Sequence, residues 1–260
     1  MAAATDADGA IVLPRILNYV WINVCHDDII ERDELCSVPL HFFDRAYENA
    51  RRHPDVDVNI WVDYALLDDA SRFFVDSYGY FADTPNVKLQ NLRDIPAYAQ
   101  SPLFKINMEH PIWCRVDYAR LLVLQHCLET KAAEDVFYSD FDVADVALDH
   151  PYLKRCIDRF GCIMGKSQVL ENGFMGFRRE TKAASFLKDT LIPATLDVTA
   201  QGAENGYPAF KRNFKRWFNK AFPVQSWLVS KPMHNVLEPM GYKLPDNPAY
   251  TADKLCYRWQ

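Results

Sequence analysis

Glycine is scarce in this chain, nine residues in 260, and none falls in a Gly-rich phosphate loop. Cysteine occurs seven times, at 25, 36, 114, 127, 156, 162 and 256, an odd number with no C-x-x-C pair. That usage suits reduced thiols in a cytosol-like compartment better than a disulfide framework or a zinc site. No apolar run approaches the roughly 20 residues of a membrane helix. The opening MAAATDADGA is small and acidic, with neither the basic n-region nor the apolar core of a secretory signal. Positive charge is in deficit: 29 Lys and Arg against 35 Asp and Glu leave a net charge of −6. The surface as a whole therefore lacks the phosphate-neutralising term, and no nucleic-acid partner is expected. Repeats, low-complexity tracts and Gly/Ser linkers are also missing, so one compact unit is expected. These lacks imply a soluble, cytoplasmic protein with a flexible tail over residues 1–10 and a single domain over 11–260.

What is present alternates. Residues 11–23, IVLPRILNYVWIN, read as an apolar strand interrupted by Pro14, and SVPLHFFDRAYENARR as a helix capped by Ser37 that stops before His53. VDVNIWVD alternates Val56, Val58, Ile60 and Val62 with polar partners, a strand pattern. DDASRFFVDSYGYF reads as helix, NVKLQNL as a short strand, and PIWCRVDYARLLVLQHCLE as the strongest helix of the chain. The strand VFY, a helix at PYLKRCIDRF, strands at CIMG and NGFMGFR, and a helix at ETKAASFLKD follow. Strands alternating with helices imply an α/β fold, a mostly parallel central sheet with helices on both faces. In such sheets ligands sit beyond the carboxyl ends of the strands.

One such end carries EDVFYSDFDVAD, residues 134–145. Residues two apart on a strand point the same way, so Asp140 and Asp142 converge if the strand runs that far. Two adjacent carboxylates repel unless a cation lies between them, and Mg²⁺ or Mn²⁺ suits oxygen donors shared with water and phosphate. Asp-x-Asp at a strand end serves either a haloacid-dehalogenase-like phosphohydrolase or a metal-dependent nucleotide-sugar transferase. Glu134 and Asp135, at the opposite end of the strand, read as solvated surface.

Residues 113–146, WCRVDYARLLVLQHCLE…VFYSDFDVADV, resemble the core of the GT-A glycosyltransferases that carry a DXD motif, in the branch of the clostridial glucosylating toxins and related bacterial effectors. In that branch a helix carries Asp-x-x-Arg and the next strand ends in Asp-x-Asp. Asp117 and Arg120 match the first motif, Asp140 and Asp142 the second. LPRILNYVWIN resembles the opening strand of that superfamily, which places Trp21 where an aromatic ring stacks on the nucleotide base, with Tyr19 beside it. A weaker likeness connects the chain to effectors that transfer N-acetylglucosamine to arginine. It rests on YSDFD, on LENG from Leu170 to Gly173, and on PDNPAYT with the later Trp259. The chain departs from those effectors in having no His between His150 and His234, and in carrying Pro248 where they place a polar metal ligand.

The resemblance implies a role for each matched residue. Asp140 and Asp142, with Asp246 or Asn247, hold Mn²⁺ or Mg²⁺ on the diphosphate of a UDP-sugar. Asp117 and Arg120, one helical turn apart and so on one face, hold hydroxyls of the donor sugar. Tyr138 belongs to the same donor site. Glu171 and Asn172 lie under the anomeric carbon, and Tyr250 and Trp259 belong to a C-terminal lid over residues 247–260. The implied reaction moves glucose or N-acetylglucosamine, with retention, to a protein or glycan acceptor. Secretion as an effector into a host cell is the matching alternative to a cytoplasmic location. Residues 209–222, AFKRNFKRWFNKAF, place Phe210, Phe214, Trp217 and Phe218 on one face of a basic helix. That pattern suits peripheral contact with an anionic membrane or an acidic acceptor. Two other readings stay open: the phosphohydrolase, and a catalytically dead nucleotide-binding interaction module, which the missing His and Pro248 favour.

Overall fold

The computed structural model describes residues 14–22, 40–67, 69, 72–73, 75–77, 84–101, 112–130, 133–141, 146, 148–149, 151–166 and 170–200. Strand β1 (Arg15–Trp21) starts directly after Pro14, and helix α1 (Leu40–Arg52) and strand β2 (Val56–Val62) follow. Next come β3 (Val87–Asn91), a single turn α2 (Pro96–Ala99) and the long helix α3 (Ile112–Thr130). Strand β4 (Asp135–Ser139), helix α4 (Pro151–Phe160) and strands β5 (Cys162–Lys166) and β6 (Leu170–Arg178) come after it. The described chain closes with α5 (Lys182–Phe186), a π turn (Leu187–Leu191) and α6 (Ile192–Ala200). The tail at 1–10, the basic stretch at 209–222 and the lid at 247–260 lie outside the described residues, as do Ser37 and most of the helix expected near residue 70.

The six strands form one sheet in the order β3-β2-β1-β4-β6-β5, flanked by helices. β3, β2, β1 and β4 are parallel, while β6 runs antiparallel to both β4 and β5. The sheet is therefore mostly parallel, as the alternation of elements predicts. The four parallel strands end at one edge, at Trp21, Val62, Asn91 and Ser139. β2 differs from its sequence pattern in burial: only Asp57 is half-exposed, because β2 lies inside the sheet with both faces covered.

The centre of the sheet is polar at one point. Asn18 on β1 is fully buried, and its Oδ1 accepts from Trp61 Nε1 (2.9 Å), Asn59 Nδ2 (3.2 Å) and Cys127 Sγ (3.4 Å). Its Nδ2 donates to the Phe137 carbonyl at 3.0 Å, so one amide links β1, β2, β4 and α3. Removing that acceptor leaves a buried indole N–H without its partner, at a cost of about 1–3 kcal/mol. Cys127, Cys156 and Cys162 are buried free thiols, as the irregular spacing predicts. Two glycines are fixed by contact. Gly161 ends α4 at φ 69°, donating its N–H to the Ile157 carbonyl, the left-handed cap that glycine favours. Gly176 faces Phe137 in register, and a Cβ there would lie 2.6 Å from the ring.

The start of β4 corrects one expectation. Asp135 is only 7% exposed and binds Arg178 through both oxygens, Oδ1 to Nε at 2.7 Å and Oδ2 to Nη2 at 2.9 Å. The two residues are register partners across β4 and β6, so the sheet itself brings them together. Arg178 also donates to Asp158 at 2.7 Å. Asp135 is thus a buried structural carboxylate, whereas Glu134 is exposed as expected. Among the described residues, no helix is long and apolar enough to cross a membrane.

Candidate active site

Three elements converge at the carboxyl end of β4. Helix α3 passes behind the sheet and presents Asp117 and Arg120 a turn apart, both only 7% exposed. β4 contributes Tyr138 and, one residue past its end, Asp140. β6 starts at this edge because it runs the other way, and so brings Asn172. The ladder between β4 and β6 extends one step beyond β4: the Asp140 N–H donates to the Gly173 carbonyl at 2.7 Å.

The side chains form one connected network. Asn172 Nδ2 donates to Asp117 Oδ1 at 2.8 Å, and Arg120 Nη1 donates to the Asn172 carbonyl at 2.9 Å. Arg120 Nη2 lies 3.3 Å from Asp117 Oδ1, and Nη1 lies 3.4 Å from Asp140 Oδ1. The guanidinium also lies over the Tyr138 ring, 4.9 Å from its centroid. The Tyr138 hydroxyl in turn donates to Asp140 Oδ1. Arg120 is therefore the hub that ties the helix motif to the strand motif.

Asp140 is the least settled member. Its side chain is 32% exposed, and both contacts fall on Oδ1; no described residue donates a hydrogen bond to Oδ2. Burial raises its carboxyl above the ordinary range, and the nearby Asp117 charge adds to this. Arg120 and the Tyr138 hydroxyl pull the other way without cancelling it. A carboxylate in this state gains by meeting a cation.

Phe141, the residue between the two aspartates of the motif, turns into an aromatic cluster. It stacks on Tyr19 at 4.8 Å and on Phe43 at 5.6 Å, and meets Trp21 edge-on at 6.4 Å. The strand has already given way to a turn at Phe141. Trp21 ends β1 half-buried at the carboxyl edge of the sheet. Tyr19 is placed differently from its expected position beside Trp21. It is wholly buried, its hydroxyl accepts from Asn49 Nδ2 at 2.9 Å, and burial raises that hydroxyl far above its ordinary range. It therefore carries the Phe141 ring from behind.

Of the other expected site residues, Glu171 is described in its backbone, as part of β6, but not in its side chain. Asp142, Asp246, Asn247, Tyr250 and Trp259 lie outside the described residues. Among the described residues, no group of three or more His, Cys, Asp or Glu side chains could hold a metal ion. Two further arrangements near the site are not among the expected site residues. At the end of β2, Asp63 accepts from Arg93 Nε (2.9 Å), Arg93 Nη2 (2.7 Å) and the Tyr98 hydroxyl (2.7 Å), a closed clamp on the same sheet edge. On α1, Arg45, Asn49 and His53 reach the segment that follows β4. Their spacing of four residues was visible, but nothing local says which edge of the helix is covered.

The chain is similar in fold to a solved transferase structure. One solved transferase shares 13% identity over 85% of this chain and 91% of its own, with a TM-score of 0.50. The PaToxG glycosyltransferase shares 11% identity over 93% of this chain and 82% of its own, with a TM-score of 0.49. The bacterial N-acetylglucosamine transferase NleB shares 11% identity over 78% of this chain and 86% of its own, at 0.38. No family model and no curated protein sequence matches the chain. At such identities the likeness is one of fold.

Proposed function

We propose that the protein is a divalent-cation-dependent glycosyltransferase that moves a sugar from a UDP-sugar, of glucose or N-acetylglucosamine type, to a protein or glycan acceptor with retention. One observation carries this reading. Asp117, Arg120, Tyr138, Asp140 and Asn172 come from three elements and form a single network at the edge where a mostly parallel sheet binds ligands.

Asp140 is chemically suited to a hard cation. Asp140 offers an oxygen that no described donor occupies, on a carboxyl whose charge is under-compensated. Asp140, with Asp142, Asp246 and Asn247, would hold Mn²⁺ or Mg²⁺. Bound there, the ion supplies positive charge against the departing diphosphate. The chain's own residues do the rest. Tyr138 orients Asp140 through its hydroxyl, and Arg120 fixes the ring of Tyr138 while presenting charge to the donor. Asp117 accepts hydrogen bonds from hydroxyls of the sugar, and the Asn172 amide, already donating to Asp117, holds that carboxylate in place. Glu171 is the candidate for the position under the anomeric carbon. Trp21 stacks on the base, and Tyr250 and Trp259 close the site as a lid. The reading is compatible with a cytoplasmic enzyme or with an effector delivered to a host cell, and residues 209–222 are its candidate contact with a membrane or acidic acceptor.

The phosphohydrolase alternative asks Asp140 to attack phosphorus. Oδ1 is engaged by Tyr138 and Arg120, so that attack would fall to Oδ2, and activity distinguishes the two readings. Turnover and thermal shift with UDP- and GDP-sugars, with and without Mn²⁺, separate the readings. Metal-dependent UDP-sugar hydrolysis is expected. Phosphatase turnover without any nucleotide requirement, or UDP binding with no donor hydrolysis, would replace this reading with one of the other two.

A further inference from the structure

Asp140 has few side-chain partners, so the aim of its carboxylate depends on the main chain that carries it. That main chain is held on both sides. The Asp140 N–H donates to the Gly173 carbonyl at 2.7 Å, and the Asp140 carbonyl accepts from Ser139 Oγ at 3.0 Å. One residue further on, the Phe141 carbonyl accepts from Arg45 Nη1 at 3.2 Å.

The Phe141 side chain supplies the rest of the anchor. It is only 5% exposed, although it lies beyond the end of β4 at an edge of the sheet. Tyr19 and Trp21 stand two residues apart on β1 and so share one face, and Phe43 comes from α1. Phe141 stacks on Tyr19 with 30° between the planes and on Phe43 with 18°, and Trp21 meets it edge-on at 73°. Such pairs are favourable beyond the area they bury, and a ring packed against three others does not change rotamer alone. Tyr19 is in turn fixed by the bond from Asn49 Nδ2 to its hydroxyl. Within this group only Trp21 is half-buried; Tyr19, Phe43 and Phe141 are buried.

We propose that Phe141 is a positioning residue. Its ring ties the main chain of Asp140 to Trp21, so that a flat ring laid on Trp21 and a cation at Asp140 favour each other's binding. The positioning of Asp140 stands on the contacts alone. The coupling rests on the glycosyltransferase reading, in which Trp21 meets the base and Asp140 the metal. Phe141 acts through those two residues and is not itself a contact of either ligand.

Two readouts on the full chain test this. Amide hydrogen exchange needs no ligand, and Phe141→Leu should speed exchange of the Asp140 N–H by about tenfold. Phe137→Leu is the control: it removes a ring from β4 itself, one stacked on Phe174 instead. After correction for global stability it should leave the Asp140 amide near its wild-type rate. Equal effects of the two variants, or no effect of Phe141→Leu, would overturn the positioning role. Arg45→Ala covers the case in which Phe141→Leu does not fold. It removes the donor to the Phe141 carbonyl and should also speed Asp140 exchange; an unchanged rate would count against the proposal.

Uridine is the probe of coupling, because it lacks the diphosphate that would bridge directly to a metal. Saturating uridine should tighten Mn²⁺ binding to wild type about fivefold, and Mn²⁺ should tighten uridine by the same factor. Phe141→Leu should abolish that factor, and Phe137→Leu should keep it. Wild type that binds both without mutual effect would overturn the coupling. Wild type that binds neither uridine, UDP nor Mn²⁺ would sink the function reading, and Asp140 exchange alone would then decide the role of Phe141.

Discussion

Strand β4 carries a carboxylate at each end, each opposite an arginine, and the two ends are built differently. At the start, Asp135 meets Arg178 through two bonds of 2.7 and 2.9 Å, a fork fixed by cross-strand register. At the finish, Asp140 meets Arg120 through a single contact of 3.4 Å, with one oxygen left without a described donor. The first pair is saturated and holds the sheet together. The second is short of partners, and its carboxyl is raised by burial. The same five-residue strand thus forms a closed pair at one end and leaves the other open.

The sharpest way to break this contrast is to remove each carboxylate in turn. Asp140→Ala is expected to lower donor turnover by about 1,000-fold, roughly 4 kcal/mol, with the urea midpoint unchanged or raised. Equal turnover in the variant would remove Asp140 from the chemistry. Asp135→Ala should do the reverse, costing about 3 kcal/mol of stability because Arg178 loses its buried partner. Turnover per folded molecule should hold, and a loss of activity without loss of stability would erase the distinction. Between these lies Asn172→Ala, expected to reduce turnover about tenfold. A double-mutant cycle with Asp117→Ala should give about 1 kcal/mol of coupling. Additive losses would mean that the 2.8 Å bond between them carries no catalytic weight.

The smallest effects are those of pH, and they have opposite signs. The folded Asp140 carboxyl lies above its ordinary value of 3.8. Its favourable contribution to stability is full below that value and disappears as pH rises through the raised one. Asp140→Asn should therefore be more stable than wild type at neutral pH, and Mn²⁺ should bind wild type more tightly as pH rises. Asp149 behaves in the other sense. Although partial burial opposes it, bonds from Arg15 and His53 hold its carboxyl below 3.8. Its contribution is present above 3.8 and vanishes as pH falls through the lowered value. The stability gap between wild type and Asp149→Asn should close in acid, by under about 1 kcal/mol given the exposure of that side chain. Urea midpoints across the acid range measure both.

The parts legible in the sequence were those with local periodicity. The apolar run before Asp140, the helix carrying Asp117 and Arg120 one turn apart, and the strands around Gly161 and Asn172 follow from spacing alone. Asp135 was misread because its partner lies 43 residues away and only the β4–β6 register brings them together. Asn18 gave no signal either. A lone Asn inside an apolar strand becomes informative only when Trp61, Asn59 and Cys127 are seen to converge on it. The α1 edge gave no signal either, because the helix pattern does not say what lies against Arg45, Asn49 and His53. What covers that side is a turn about 90 residues further on.

The antiparallel direction of β6 has a consequence for how the site comes into being during synthesis. Because β6 enters the sheet beside the end of β4, the carbonyl groups of Asn172 and Gly173 complete the surroundings of Arg120 and Asp140. A nascent chain that has emerged as far as β5 already holds the helix motif and the acidic strand, but not the floor beneath them. The network is finished late, by a strand that contributes its first residues rather than its last.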